Sequence, residues 1–320
     1  MSIVVTGGAG FIGSCLVKML NDIGIGNIYI VDDINESIKW KNLLGKRYIE
    51  YIHKGEFLSR AAKIEGLTHI IHLGACSSTT ECNFDYLWKN NVEYSKSLYQ
   101  LCVQRNISFI YASSAATYGD GTYGFEDDCN PELLCPLNRY GYSKNIFDIW
   151  VAHQKSKPKQ CVGLKFFNVY GPNEYHKGNM ISMVNQGFKQ ALEIGEIKLF
   201  KSYKQGISDG MQLRDFIYVK DVCKVICFFI HNEDKIGLFN VGTGKARSFN
   251  DLALSIFKAI GLSPKISYIE MPVEIKTHYQ YRTEAVITNL RQVGYSEKFM
   301  ELEQGVDDYI KNYLLQDKYY

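Results

Sequence analysis

The chain has 320 residues, 46% of them hydrophobic and 22% charged, with a formal net charge of +2. That length suits two lobes sharing a cleft better than one compact core, and the composition is that of an ordinary globular protein. The small charge excludes a general nucleic-acid binder, which carries a strong basic excess, and no apolar run approaches the roughly 18 residues of a membrane span.

Met1 leads straight into a strand-like run without the basic and apolar regions of a signal peptide, so the expected location is the cytoplasm. The nine cysteines are odd in number and lack C-x-x-C spacing. They read as scattered thiols of a reducing compartment, and no metal site is expected.

Ile3–Val5 reads as the first strand and Phe11–Ile23 as the helix that follows. Between them Gly7, Gly10 and Gly13 stand at the spacing G-x-x-G-x-x-G. Gly7 permits the tight turn, Gly10 lets the backbone approach a pyrophosphate, and Gly13 lets the helix pack closely on the sheet. The helix N-terminus supplies N–H groups and partial positive charge for phosphates. Ile28–Val31 is the second strand, and Asp32 at its end suits adenosine ribose hydroxyls, the alternative being a strand-end cap.

Thr68–Leu73 is a further strand, followed by a polar loop and a helix near Tyr86–Arg105. Ser108–Ala112 is next, with Ser114 just beyond it. Tyr140–Gln154 reads as a helix and Val162–Phe167 as a strand. Tyr140 and Lys144 are four apart and share a helix face. An ammonium beside a phenol stabilises the phenolate, which can then take a carbinol proton while Ser114 binds the reacting oxygen. Tyr142 should point elsewhere.

After Gly171-Pro172 the pattern loosens. It offers a helix over Ile181–Ile194, a strand from Arg214 and a helix Val222–Ile230 with Asp221 as its N-cap. A short strand from Leu238, a helix Phe249–Ile260 and a C-terminal helix from Leu302 complete the chain. Alternating strands and helices predict a Rossmann-type doubly wound parallel sheet with a smaller mixed α/β substrate lobe. We expect the dinucleotide domain over 1–167 with a return segment at 214–240, and the substrate lobe over 168–213 and 241–320.

The stretches T-G-G-A-G-F-I-G-S (6–14), G-A-C-S-S-T-T-E (74–81), Y-A-S-S-A-A-T-Y-G (111–119), Y-G-Y-S-K (140–144), F-N-V-Y-G-P (167–172), H-K-G (176–178) and R-D-F-I-Y-V-K-D-V (214–222) occur in this order. With them the chain resembles the extended short-chain dehydrogenase/reductases and, within these, the ADP-L-glycero-D-manno-heptose 6-epimerase family. The resemblance implies interconversion of the C6″ epimers of ADP-heptose, a precursor of lipopolysaccharide inner core. It implies tightly bound NADP, with NAD as the alternative, and a homo-oligomer, pentameric in well-known members.

By that resemblance Phe11 and Ile12 contact the cofactor, and Asp32, Asp33, Lys39 and Lys54 surround its adenosine end. Leu73, Gly74, Ala75, Cys76 and Ser77 line the nicotinamide side with Asn90 near them. Asn168 and Val169 lie between cofactor and substrate. Lys177 is the second acid/base, serving the face opposite Tyr140, the alternative being a solvent-facing loop lysine. Arg214 meets the substrate diphosphate, the alternative being an ion pair with Asp215. Tyr279, Asn179, Gln186, Phe200, Lys201, Ser202 and Tyr203 lie on the substrate side. The chain departs from the family at Asn179, Gln186 and His278, and in the length of its Lys201–Leu213 loop.

Competing readings are an epimerase or reductase acting on another nucleotide sugar, such as a UDP-hexose 4-epimerase, and a non-catalytic dinucleotide sensor. Ala115-Ala116 after Ser114 argue against a 4,6-dehydratase, which needs an acid there. A sensor needs neither the phenol nor its lysine.

Overall fold

The computed structural model describes residues 1–276 and 279–320; His278 lies outside the described residues. Strands are β1 (Ser2–Thr6), β2 (Ile28–Asp32), β3 (Glu50–His53), β4 (Leu67–His72), β5 (Ser108–Ser114), β6 (Gln160–Phe166), β7 (Asn168–Tyr170), β8 (Ile197–Phe200), β9 (Leu213–Arg214), β10 (Phe216–Tyr218), β11 (Gly237–Val241), β12 (Arg247–Ser248) and β13 (Ile266–Ile269). Helices are α1 (Phe11–Asp22), α2 (Lys54–Arg60), α3 (Phe84–Leu87), α4 (Tyr94–Arg105), α5 (Arg139–Ala152), α6 (Met183–Ile194), α7 (Val219–His231), α8 (Phe249–Ile260), α9 (Val273–Lys276), α10 (Thr288–Gln292) and α11 (Leu302–Asn312).

Seven strands form one sheet in the order β11-β6-β5-β4-β1-β2-β3, every pairing parallel. The period of two divides its side chains between two cores. Ile3, Val5, Ile71 and Ile110 face α1 and α7, packing with Leu16, Leu20, Val222 and Ile226. Val4, Ile70 and Phe109 face the other way, against Leu98 and Tyr99 of α4 and Phe147 of α5. This is the predicted doubly wound sheet. The strand order reverses at β1/β4, and a crevice opens there at the strand C-terminal ends.

β3 carries no hydrophobic run long enough to announce itself; it is an edge strand completed by pairing with β2. The helix expected from Tyr86 is broken into α3, a π-helical turn at Trp88–Glu93, and α4. Asp221 does not cap its helix. α7 begins at Val219 directly off β10, and the buried Asp221 carboxylate accepts from the Met300 N–H at 2.6 Å and from Lys224 at 3.0 Å. A tertiary partner thus takes the acceptor that the sequence assigns to the helix end.

Beyond β6 the two-stranded pairs β8/β13, β7/β10 and β9/β12 and the helices α6, α8 and α11 extend the core of the first face without a break, through Phe188, Ile256 and Val306. β11 returns to the edge of the main sheet beside β6.

Candidate active site

Gly7 has φ 67°, and a Cβ there would lie 2.6 Å from the Gly74 nitrogen. A Cβ on Gly13 would lie 2.1 Å from the Gly7 carbonyl oxygen. The turn is therefore clamped between the loop after β4 and the first turn of α1. Gly10 precedes α1 and contributes no side-chain cap, and the first turn holds no acid. The leading N–H groups of that helix are left for an anion.

Asp32 closes β2. Its Oδ2 accepts from the Ala9 N–H at 2.9 Å, and Oδ1 accepts from Lys39 Nζ at 2.8 Å. Lys54 pairs with Asp33 at 2.8 Å, and its hydrogen bond holds the Asp33 carboxyl below the usual carboxylate range. A cleft of about 160 Å³ is lined by Gly7, Asp32, Asp33, Lys39, Lys54, Gly74, Ala75, Cys76 and Asn90 together with Thr6, Val31, Tyr86 and Tyr94. The aromatic pair Tyr86 and Tyr94 has no local signal in the sequence. Leu73 is half-buried behind the cleft, and Ser77 is exposed. An uncapped helix end, an acid at the ribose position and two lysines fit a dinucleotide with its phosphates on α1.

Asn91, one residue beyond the expected Asn90, organises the far wall. It is fully buried, accepts from the Cys76 N–H at 2.9 Å, and donates to the Cys76 carbonyl at 3.0 Å and to Ser143 Oγ at 2.9 Å. Ser143 Oγ in turn donates to the Tyr140 carbonyl at 2.7 Å. The Asn-Asn dipeptide was the only sequence signal for it.

Asn138 caps α5 by accepting from the Gly141 N–H at 2.8 Å. A Cβ on Gly141 would meet the Ala116 carbonyl oxygen at 2.6 Å, so glycine lets the helix start approach the turn beyond Ser114. Tyr140 is half-buried; burial pushes its phenol up, and a hydrogen bond from the Ser114 hydroxyl opposes this. Lys144 is not among the groups that act on this phenol, so the lowering expected from it is not found in this arrangement. Lys144 itself is 2% exposed, and burial pushes it down to about 8, opposed by the charge of Asp148. Tyr142 is exposed and stacks on Phe84.

Asp148, one turn after Lys144, belongs to a buried network unforeseen in the sequence. It accepts from Ser113 Oγ at 2.6 Å, the Tyr111 hydroxyl at 3.1 Å and Lys165 Nζ at 3.0 Å. Lys165 also donates to Thr117 Oγ1 at 2.6 Å. The network ties β5, β6 and α5 together immediately beneath Ser114 and Tyr140.

Lys177 arrives on the loop after β7. Its Nζ stands 5.1 Å from the centre of the Phe11 ring, at the start of α1 next to Ile12. Burial lowers its proton affinity, and Glu174 opposes this. Val169 pairs with Ile217 in the short sheet between the halves, and Asn168 beside it is exposed, accepting from Thr283 Oγ1 at 3.4 Å.

Among the residues expected to face the substrate, Arg214 is 7% exposed and lies 5.0 Å from the Tyr279 ring centre and 5.6 Å from that of Phe249. It does not pair with Asp215, whose oxygens accept the Thr243, Gly244 and Ala285 N–H groups. Lys201 and Tyr203 are both turned to Glu270, and Ser202 and Phe200 flank them. Gln186 donates to the Ile181 carbonyl at 2.8 Å, and Asn179 is exposed.

The fold and this site define a dinucleotide-dependent enzyme of the epimerase/dehydratase kind. Residues 3–242 match the NAD dependent epimerase/dehydratase family, and the chain belongs to it. Its cofactor is a nicotinamide dinucleotide. The chain is 49% identical to the ADP-L-glycero-D-manno-heptose-6-epimerase of Fusobacterium nucleatum, each covered to 99%, and 47% identical to that of Nitratidesulfovibrio vulgaris, each covered to 97%. It is also similar to the crystal structure of Helicobacter pylori ADP-L-glycero-D-manno-heptose-6-epimerase, with a TM-score of 0.82 and 31% identity over 97% of this chain and 95% of that one. No described helix is long and apolar enough to cross a membrane.

Proposed function

We propose that the chain inverts C6″ of ADP-D-glycero-D-manno-heptose to the L-glycero epimer through a transient 6″-ketone. The observation that carries this reading is the 47–49% identity to enzymes of that name over nearly the whole chain, supported by the Ser114–Tyr140 hydrogen bond and by the action of Cys76, a cleft-lining residue, on that phenol. A nicotinamide dinucleotide held by the α1 N-terminus, Asp32, Lys39 and Lys54 would supply the hydride acceptor and donor.

Tyr140 takes the C6″ hydroxyl proton, Ser114 donates to the same oxygen, and Lys144 stabilises the phenolate. Inversion requires service to both faces of one carbon, and one side chain cannot stand on both. Lys177, arriving on a separate loop, serves the second face. Arg214 grips the diphosphate, since a buried guanidinium with no acid partner among the described residues is matched by phosphate oxygens. Asn168, Asn179, Gln186, Tyr279 and residues 200–203 border the heptose and adenosine. The dinucleotide is NADP: Lys39 and Lys54 can turn from Asp32 and Asp33 toward a 2′-phosphate. Residues 1–167 with 214–240 form the cofactor domain, the remainder the substrate lobe, and the working form is a homo-oligomer.

Incubation with ADP-D-glycero-D-manno-heptose should yield the L-glycero epimer, resolved by proton NMR, with no net consumption of added NADPH. Failure to convert it, with turnover of another nucleotide sugar, removes the substrate assignment. In D₂O the product should carry no stoichiometric deuterium at C6″, because Tyr140 and Lys177 exchange only oxygen-bound protons with solvent. Nucleotide released on denaturation should be mostly NADP.

A further inference from the structure

The loop that delivers Lys177 contains a second charge three positions earlier. Glu174 is 0% exposed. Its Oε2 accepts from the Ser182 N–H at 2.7 Å and its Oε1 from the Ser182 hydroxyl at 2.5 Å. Tyr309 of α11, whose oxygen accepts from Asn185 at 2.9 Å, adds a third hydrogen bond. Burial pushes the Glu174 carboxyl above its ordinary range, and the charge of Lys177 and the three hydrogen bonds oppose this. No described basic side chain forms an ion pair with it, and the cation that acts on it is Lys177. The Lys177 N–H also donates to the Glu174 carbonyl at 3.0 Å, which closes one turn of the loop and fixes the two residues relative to each other.

We propose that Glu174 is the positioning residue for Lys177: clamped by Ser182 and Tyr309, it is the counter-charge against which Lys177 holds its proton while reaching toward Phe11. This rests on the reading of Lys177 as second acid/base. A half-buried ammonium without a counter-charge sheds its proton too readily to return one to a sugar oxygen, and a directly paired one holds it too firmly. A carboxylate one turn away, buried and without a closer cation, lies between these limits. The other titratable groups around the pair are Tyr309, Cys15 of α1, Tyr175 and His176 of the same loop, and Lys39 with Asp32 beyond His176. Burial keeps the phenols and the thiol neutral, with Cys15 pushed up to about 12, and keeps His176 neutral, pushed down to about 4. Lys39 and Asp32 are paired to each other at 2.8 Å. Glu174 is the unpaired acid of the group.

The test reads Lys177 directly in the holoenzyme, as the pH at which half of it is acylated by an amine-reactive ester, quantified on its own peptide by mass spectrometry. Glu174→Gln should lower that midpoint by about one pH unit, a roughly tenfold loss of proton affinity. The matching limb of the pH–rate profile should move with it while KM stays close to the parent value. Glu174→Asp, which keeps the charge, should restore the midpoint. An unmoved midpoint in folded, cofactor-loaded Glu174→Gln overturns the proposal. If Glu174→Gln does not fold, Lys177→Met gives the second reading. It strips Glu174 of its counter-charge, so its melting temperature should gain more than the parent's between pH 7 and pH 5; an equal gain overturns the proposal. Full activity in Lys177→Met would remove the acid/base role alone, since the acylation midpoint would still report on Glu174.

Discussion

Tyr140 and Lys144 share a helix face, yet their surroundings act on them in opposite senses. Burial favours the neutral form of each, the phenol over the phenolate and the amine over the ammonium. Tyr140→Phe removes only the titrating hydroxyl; activity should fall about 10²–10⁴-fold while bound nucleotide, measured after denaturation, stays at the parent level. Lys144 makes a second, thermodynamic prediction. Its folded value of about 8 lies below the ordinary 10.5, so the folded state is penalised for holding the ammonium at pH 7, and the penalty fades as pH rises through that window. The gap corresponds to roughly 3 kcal/mol as an order of magnitude. Lys144→Met should therefore raise the melting temperature at pH 7 despite abolishing turnover, with the gain shrinking toward pH 10. A lower melting temperature at pH 7 would show that the ammonium is stabilised by its surroundings.

At the scale of elements, the site depends on backbones approaching more closely than side chains allow. α1 meets the glycine loop at Gly13, and α5 meets the turn after Ser114 at Gly141. With backbone as the obstacle, the added methyl of Gly13→Ala cannot be absorbed by a side-chain rotation. Overpacking of this kind costs typically about 1–3 kcal/mol. The variant should unfold at lower denaturant and release most of its nucleotide during purification. Nucleotide content equal to the parent's would mean that the loop relaxes without losing its grip. The π-helical turn before α4 acts at the same scale. Asn91 sits within it, and its three hydrogen bonds join the loop after β4 to α5.

Across the whole molecule, one hydrophobic core runs from β1 to α11, so the short strand pairs and helices beyond β6 are packed onto the main sheet. Asp215 reinforces that union by accepting N–H groups from the loop after β11 and from Ala285. Its neighbour Arg214 is thereby left as a buried cation with no acid paired to it among the described residues, held between Phe249 and Tyr279. Arg214→Met should raise KM for the nucleotide sugar roughly 10–100-fold, the worth of a hydrogen bond to a charged group. Bound dinucleotide should be unaffected, and the melting temperature should not fall. A loss of dinucleotide instead would place Arg214 in the cofactor site.

The sequence by itself determined the Rossmann half. Short β-branched strands, the glycine spacing and the Tyr140/Lys144 pair are local signals, because helix and strand periods and turn chemistry depend on neighbours in the chain. The same locality made β3 and the short pairs beyond β6 hard to read, since they are strands only by virtue of their partners. Only the tertiary structure decided the rest. Asp221 gave up a helix cap for Met300, Asp148 on α5 found Lys165 on β6, and Asn91 joined the loop after β4 to α5. Each outcome is set by what burial leaves unsatisfied, and a buried polar group is completed by whatever donor or acceptor the fold brings beside it.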